Sequence, residues 1–405
     1  MPLLVLYAVV CAVAQPGSDP VRDEPALLAA AHRLLDGQFA PAVPTLDPRA
    51  YLWHGPGLIA VLAPLLGLDL PLTAIRFVDP LLLGVAVLLF HRLLRGLLPA
   101  RPALAFTYAF GLYVPFFSVL PEIHKEPLAV LLVVAGMLAL TRGLTSGRRA
   151  PLVGAGAAFG ALAMVRLEYG WVAILLLALA AATWALRRHA ATPRRLTAVA
   201  AIAVALCVPW LAFTYHRTGK ALYWGTSSGL SLFWMSPTQP GETGSWHEPA
   251  SVFDDPQLTA FRPLFAHVAR LDPVASDIAL RAAASRNVRA HPWRYARNVA
   301  ANVTRLFFAW PMRPQLSATR IAANVLFNAP LLAAVVWAAA VLWRRRRVPG
   351  TLAIAAFGAL GLAVHLPPSA SPRMLLPLVP VLLWLVAQAF AVRDQPAVAR
   401  AARKS

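Results

Sequence analysis

The chain has 405 residues, of which 59% are hydrophobic and only 13% charged, where a soluble domain is nearer a quarter charged. With a mean hydropathy of +0.62, that composition excludes a soluble globular domain. The net charge of +20 invites a nucleic-acid partner, but the basic residues follow membrane topology instead. Five short segments hold about half of them: Arg92, Arg95 and Arg101; Arg142, Arg148 and Arg149; Arg187, Arg188, Arg194 and Arg195; Arg344 to Arg347; and Arg393, Arg400, Arg403 and Lys404. Asp394 is the only acid among them. Short loops of this kind stay cytoplasmic, and no nucleic acid is expected. Cys11 and Cys207 both lie in apolar stretches, which gives neither a disulfide framework nor a cysteine metal site. Heavy use of Ala, Leu, Arg and Pro fits a GC-rich bacterial genome.

A bilayer core of ~30 Å takes ~20 apolar residues per helix. The recurring apolar runs predict an all-α integral membrane protein, a bundle of about ten transmembrane helices with a large outer loop region and surface helices. A short first helix over 3–15 runs outward; it lacks a basic leader and a cleavage site, so a retained helix is expected rather than a signal peptide. Residues 16–71 then lie outside. Within them Asp23 or Glu24 stands at an N-cap, Pro25 in the first helical turn and Gly37 at the stop. Leu27, Leu28, Ala31, Leu34 and Leu35 share one face, and His32, Arg33 and Asp36 another, as in a helix lying on a membrane surface. Helices over 74–91, 103–119, 126–141, 151–165, 168–186 and 196–214 alternate across the membrane. Residues 215–320 form a large outer region, followed by helices over 321–343, 350–366 and 373–392. Segments 57–68 and 300–312 are short, and counting either as a span would put an arginine-rich loop outside, so both read as interfacial or re-entrant. The expected organisation is a transmembrane module over 1–214 including the outer loop 16–71, an outer loop over 215–320 with interfacial helices, and a second transmembrane module with a cytoplasmic tail over 321–405. No heptads, repeats or low-complexity linker occur.

Two adjacent acids at a helix start favour ionised carboxylates. Such a group serves as a general base, holds a cation, or merely caps the helix. The order of the motifs adds to this. A first span, the Asp23-Glu24 pair, a surface helix ending at Gly37 and the segment Tyr51-Leu52-Trp53-His54-Gly55-Pro56-Gly57 resemble the GT-C membrane glycosyltransferases of the family 39 type, the protein O-mannosyltransferases and the lipid A aminoarabinose transferase among them. The likeness continues in Leu120-Pro121-Glu122-Ile123-His124-Lys125-Glu126-Pro127, in Val165-Arg166-Leu167-Glu168-Tyr169, in Thr226 to Phe233 and Gly244-Ser245-Trp246, and in Pro372-Arg373-Met374-Leu375-Leu376-Pro377. Met374 departs from the Tyr of the family pattern, and the spans are fewer than is usual.

The resemblance implies transfer of a hexosyl or pentosyl group from a polyprenyl-phosphate donor to a glycan, lipid or protein acceptor. The site would lie on the outer face of a bacterial cytoplasmic membrane, among membrane lipid. A phosphate leaving group needs no strong acid; a base and cations are needed. Asp23 is the expected base, and Glu24 a second base or a positioning group. Arg373 is expected to hold the phosphate through its fork, with Lys125 and Arg166 behind it. The plainer alternatives are a snorkelling anchor for Arg373 and a simple pair with Glu168 for Arg166. His54 lines the site or is a turn residue. Glu122, His124 and Glu126 with Asp23 hold the carboxylates and imidazole for a divalent metal, but a spacing of two shares no helix face, and no cofactor is required. Trp224, Trp234, Trp246, Trp293 and Trp310 are interface-belt residues or a surface for sugar rings. A non-catalytic transporter or flippase of lipid-linked sugars is the competing class, and it calls for charged midplane helices and internal repeats. An O-antigen polymerase or ligase is a third reading, against which the early Asp23-Glu24 loop counts. Cysteine labelling tests the topology: 142–149, 187–195 and 344–347 should be inside and 226–260 outside. Label reaching 344–347 from outside would make 300–312 a span.

Overall fold

The computed structural model describes residues 2–41, 51–187, 190–239, 241–312, 317–344 and 349–393. Arg188, Arg345 to Arg347 and the tail beyond Arg393 fall outside the described residues. Helix α1 (Pro2–Ala14) precedes α2 (Glu24–Leu35) and α3 (Pro56–Gly67), and a single turn, α4 (Leu72–Ile75), feeds α5 (Val78–Arg95). The bundle continues through α6 (Ala100–Gly111), α7 (Lys125–Ser146), α8 (Arg149–Val165), α9 (Tyr169–Leu186) and α10 (Ala191–Thr218). Smaller helices follow: α11 (Ser228–Met235), α12 (Ser251–Asp254), α13 (Arg262–Val268), α14 (Pro273–Ala290) and α15 (Pro292–Phe308). Then come α16 (Ala318–Arg344), α17 (Pro349–Ala363) and α18 (Val379–Arg393). No strand occurs among the described residues.

Among the described residues six segments are long and apolar enough to cross a membrane: Leu72–Arg95, Lys125–Ser146, Tyr169–Leu186, Ala191–Thr218, Ala318–Arg344 and Pro372–Arg393. Helices α1, α3, α8 and most of α17 are apolar but shorter. Length and composition alone therefore bear out six of the ten expected spans. One expected span divides: residues 103–119 are helical only to Gly111 and resume as a 3₁₀ turn over Val114–Ser118. Pro115 lacks an N–H and disfavours the helical conformation at Val114. Helix α18 is the buried centre of the bundle and α16 its periphery, with 72% and 17% of their apolar windows enclosed. The segment expected to be interfacial at 57–68 is α3, which packs on α2 and α8 and buries Leu58, Ile59, Leu62 and Ala63. A second apolar core, apart from that of the bundle, lies under α11 to α14. It is built on Phe233, Trp234, Phe261 and Phe265, with ring centroids 5.2–5.9 Å apart.

Helix α2 starts where the sequence places it, but the acids divide the work unexpectedly. Asp23 stands at the N-cap position and its side chain makes no cap hydrogen bond. Glu24 does the tying. Its carboxylate accepts from the Val21 amide at 2.9 Å, the Ile123 amide at 2.8 Å, Arg76 Nε at 2.9 Å and Arg76 Nη2 at 2.7 Å. Arg76 also donates to the carbonyls of Gly17 and Asp19. Burial raises the Glu24 carboxyl, but Arg76 and the two amides outweigh it and hold it below the usual range. One buried pair thus fixes the first loop to the α4–α5 junction and to the turn that opens α7. Close backbone approach fixes the neighbouring loop: a Cβ on Gly55 would meet the Met164 carbonyl at 2.1 Å. Both side chains of the Glu24–Arg76 pair are essentially dry, so removing one partner leaves a buried charge. Glu24→Gln should cost about 3–5 kcal/mol in thermal or denaturant unfolding, and the double change to Met at 24 and 76 should recover much of it. A Glu24→Gln protein as stable as the parent would show that the loop is held by something else.

Candidate active site

A cleft of about 2010 Å³ opens between the bundle and the region of α11 to α15. Asp23, His54, Glu122, Lys125, Glu126, Arg166 and Arg373 all line it. Residues expected from the sequence to act together are thus gathered from five separate stretches of chain. Glu24 is not among the lining residues; it sits behind the wall in its clamp with Arg76.

The floor is a chain of alternating charge. Arg373, at the 3₁₀ turn entering α18, reaches Asp23 Oδ2 at 3.1 Å through Nη1 and Glu126 Oε1 at 3.8 Å through Nε. Arg166, at the end of α8, reaches the same Glu126 Oε1 at 2.9 Å and Glu168 Oε1 at 2.7 Å. Lys125 Nζ is 3.3 Å from His54 Nδ1. Arg166 therefore does pair with Glu168, and with Glu126 too. Arg373 is 39% exposed and Asp23 19%, whereas Glu126 and Arg166 are nearly dry. Both ends of the chain are open to the cleft, at Asp23–Arg373 and at Glu168, whose side chain is 32% exposed.

Burial pushes the Asp23 carboxyl up; Arg373 foremost, then Lys125, His54 and His124, more than reverse this and hold it well below the usual carboxylate range. Glu168 is pulled to about 2, burial being overcome chiefly by Arg166. His124 lies 3.6 Å from Glu122 and 3.9 Å from Glu126, and burial above all lowers its pKa. Its backbone amide donates to Asp79 Oδ2 at 2.7 Å, which sets the turn ahead of Lys125. Glu122 Oε2 and Glu126 Oε2 are buried and accept no hydrogen bond. Among the described residues no group of three or more His, Cys, Asp or Glu is placed to hold a metal ion.

Sequence reading missed Arg76, Asp79 and His365. The first two are the only acidic or basic side chains besides His91 in the apolar run 72–91, and a charge in such a run is itself a signal of a site. His365 lines the cleft; it is buried, with Nε2 making no hydrogen bond. Burial, opposed by Glu168, lowers it to about 4 and leaves it neutral near pH 7.

Solved structures supply the comparison. An archaeal oligosaccharyltransferase, AglB from Archaeoglobus fulgidus, in complex with an inhibitory peptide and a dolichol-phosphate, matches 100% of this chain and 51% of its own at 15% identity and a TM-score of 0.50. An Archaeoglobus fulgidus oligosaccharyltransferase tethered to an acceptor peptide with an NVT sequon matches 99% of this chain and 50% of its own, again at 15% and 0.50. The chain has the fold of the GT-C membrane glycosyltransferases. ArnT from Cupriavidus metallidurans, bound to undecaprenyl phosphate, is similar at 16% identity and a TM-score of 0.42, over 96% of this chain and 76% of that one. The chain spans about half the length of the oligosaccharyltransferases it matches. No family model matches it, and no curated protein matches its sequence.

Two further features of this GT-C fold adjoin the floor. An apolar groove of about 620 Å³ runs between α9, α10 and α17, from Tyr169 beside the cleft to Arg187 at the other end of α9. The far wall of the cleft carries Trp53 and Trp246, edge to face at 6.2 Å, and the buried pair Glu242–His247 at 3.3 Å. Loop 243–244 of that wall hangs from α15: Arg305 donates to the carbonyls of Thr243 and Gly244 at 2.7 and 2.8 Å.

The charge chain fixes a pH dependence. The folded pKa of Asp23 is depressed, so its ion pair contributes stability above the unfolded carboxylate value of ~3.9 and loses it as pH falls through that value towards the folded one. The melting-temperature gap between the parent and Asp23→Asn should be constant from about pH 5 upward and should close below about pH 4. A gap that closes between pH 6 and 7 would mean that Asp23 titrates with a raised pKa.

Proposed function

We propose that this chain is a membrane glycosyltransferase. It transfers a hexosyl or pentosyl group from a polyprenyl-phosphate donor to an acceptor glycan, lipid or protein on the outer face of a bacterial cytoplasmic membrane. The observation that carries the reading is the Asp23–Arg373 contact at 3.1 Å, a base and a phosphate-binding fork side by side in a cleft large enough for two substrates. The GT-C fold supports it, as does the apolar groove that leads from the charged floor into the bundle and suits a prenyl tail. A transporter would need a polar path through the bundle, whereas these charges sit at one end of it.

The chemistry divides among the residues as follows. The donor phosphate binds Arg373, with Lys125 and Arg166 adding positive potential. Once phosphate takes the guanidinium, Asp23 loses the partner that depresses its pKa, and its basicity rises. The acceptor oxygen or nitrogen attacks the anomeric carbon, the bond from that carbon to the phosphate oxygen breaks, and polyprenyl phosphate leaves with the electron pair. Asp23 takes the acceptor proton. Glu126 and Glu168 hold Arg373 and Arg166 in place, and Glu24 holds the loop. His54 orients Lys125. No step calls for a cofactor or a divalent metal.

Asp23→Asn should lower transfer by about 10²–10⁴-fold in membranes given the lipid-linked sugar that accumulates in a deletion strain. Near-normal transfer by a well-folded Asp23→Asn protein would remove the base from this position. Arg373→Ala should weaken donor use more than Arg373→Lys, which keeps the charge and loses the fork. If both leave the KM for the donor unchanged, Arg373 is an anchor and the phosphate binds elsewhere.

A further inference from the structure

Helix α15 is inside out for a helix in water. Its buried side is polar, carrying Asn298, Asn302 and Arg305 besides Leu306 and Phe307. Its exposed side carries Trp293, 87% exposed, then Ala296, Arg297, Ala300 and Val303. Those five positions recur every three or four residues and form one stripe. A helix bathed in solvent puts its apolar stripe inwards. Trp on an outward stripe suits the interface between headgroups and acyl chains.

The helix also lies where a membrane surface passes. Tyr295 Oη donates to the Pro367 carbonyl at 3.1 Å. Seven residues on, Asn302 Nδ2 donates to the carbonyls of His365, Leu366 and Pro368 at 2.9, 3.1 and 2.8 Å. Two turns of α15 therefore rest on one α17–α18 turn, and the helix runs along the end of the bundle rather than into it. Its charge is one-sided. Arg286, Arg289 and His291 are exposed where α14 meets α15, Arg294 and Arg297 follow, and the sequence has no Asp or Glu between Asp277 and Asp394.

We propose that the α14–α15 corner is a docking surface for anionic phospholipid on the membrane face beside the cleft. Trp293 and Val303 sit at the acyl boundary, and Arg286, Arg289, Arg294 and Arg297 meet headgroup phosphates. A zwitterionic surface would take the tryptophan alone; the run of arginines without a compensating acid selects negative lipid. Because Asn302 and Arg305 on the inner side of the same helix hold the 365–370 and 243–244 segments, the lipid contact also steadies two walls of the cleft. The proposal stands independently of the sugar-transfer reading.

The test uses the full chain in nanodiscs of phosphatidylcholine, with and without phosphatidylglycerol. Nitroxide labels go on Trp293→Cys, Ala300→Cys and Val303→Cys; the native Cys11 and Cys207 are buried. Asp254→Cys, exposed on α12, is the aqueous control. With phosphatidylglycerol present, labels at 293, 300 and 303 should be relaxed by oxygen more than by a water-soluble nickel chelate, and the label at 254 the reverse. Arg286, Arg289 and Arg297 have exposed side chains, and their joint change to Gln should leave the melting temperature unchanged. It should lower retention of phosphatidylglycerol over phosphatidylcholine by about five-fold per arginine removed. Nickel access at 293, 300 and 303 in both discs would overturn the docking. Retention by the triple variant equal to the parent's would overturn the anionic selectivity, as would labels that sit equally deep in pure phosphatidylcholine.

Discussion

A charge at the edge of an apolar bundle persists only when an opposite charge reaches it, and the cleft floor is an extended answer to that constraint. Asp23, Arg373, Glu126, Arg166 and Glu168 alternate in sign, each at 2.7–3.8 Å from the next. Removing any inner member strands its neighbours, so the five behave as a unit. Such a row is poorly explained as a device for stability, because well-packed apolar side chains are often as good or better in a buried site. A chemical use is the better explanation. The centre of the row, Glu126 and Arg166, is dry, and both of its ends are accessible to a ligand.

The scaffold around the floor meets a second requirement, that distant loops hold still. Two buried hubs do this. Arg76 and Glu24 join the first loop to the α4–α5 junction and to the turn before α7. Asn302 and Arg305 join α15 to the 365–370 turn and to loop 243–244. Each hub satisfies several backbone groups that no helix or strand serves. Asn302 alone donates to three carbonyls and accepts from Ala370 N and Arg305 Nη1. Neighbouring charges and amides are thereby delivered to the cleft from chain positions some three hundred residues apart.

Much of this was legible in the sequence, and for physical reasons. Arginine-rich loops and apolar runs marked the helices, and polar residues concentrated in the intervening turns marked the end of the bundle where Asp23, His54, Lys125, Arg166 and Arg373 meet. Which of two adjacent acids faced the cleft was not legible. Glu24 turns inwards because Arg76, far along the chain, takes it up, and nothing local to α2 announces that partner. Helix length alone bears out only six of the ten expected spans. Helices such as α6 and α17 stop short where Pro115 and the 364–371 turn intervene, and hydropathy over a window does not register a broken helix. The inward polar face of α15 escaped for the same reason as Glu24: Asn298, Asn302 and Arg305 read as a solvent face until their partners are seen.

The two environments of the cleft suggest an order of events. At the floor, Lys125, Arg166 and Arg373 supply the positive charge that the proposed reaction needs for its phosphate, while the far wall presents Trp53, Trp246, Glu242 and Glu248. Without a phosphate, Arg373 is spent on Asp23 and keeps that carboxylate a weak base. A phosphate that captured the guanidinium would raise the basicity of Asp23 at the moment a reactive sugar arrived beside it. Donor occupancy would then switch on the base, and a free cleft would have little power to activate an acceptor or water. The same coupling requires Arg373 to stay in the floor once Asp23 lets go. Asp23 is the nearer partner of Arg373, at 3.1 Å against 3.8 Å for Glu126, so a phosphate has to displace the shorter contact, while Glu126 on the first turn of α7 is braced by Arg166 at 2.9 Å. Glu24 and Glu126 thus serve opposite ends of one requirement, the first keeping the base within reach of Arg373 and the second keeping Arg373 in the floor after the base lets go.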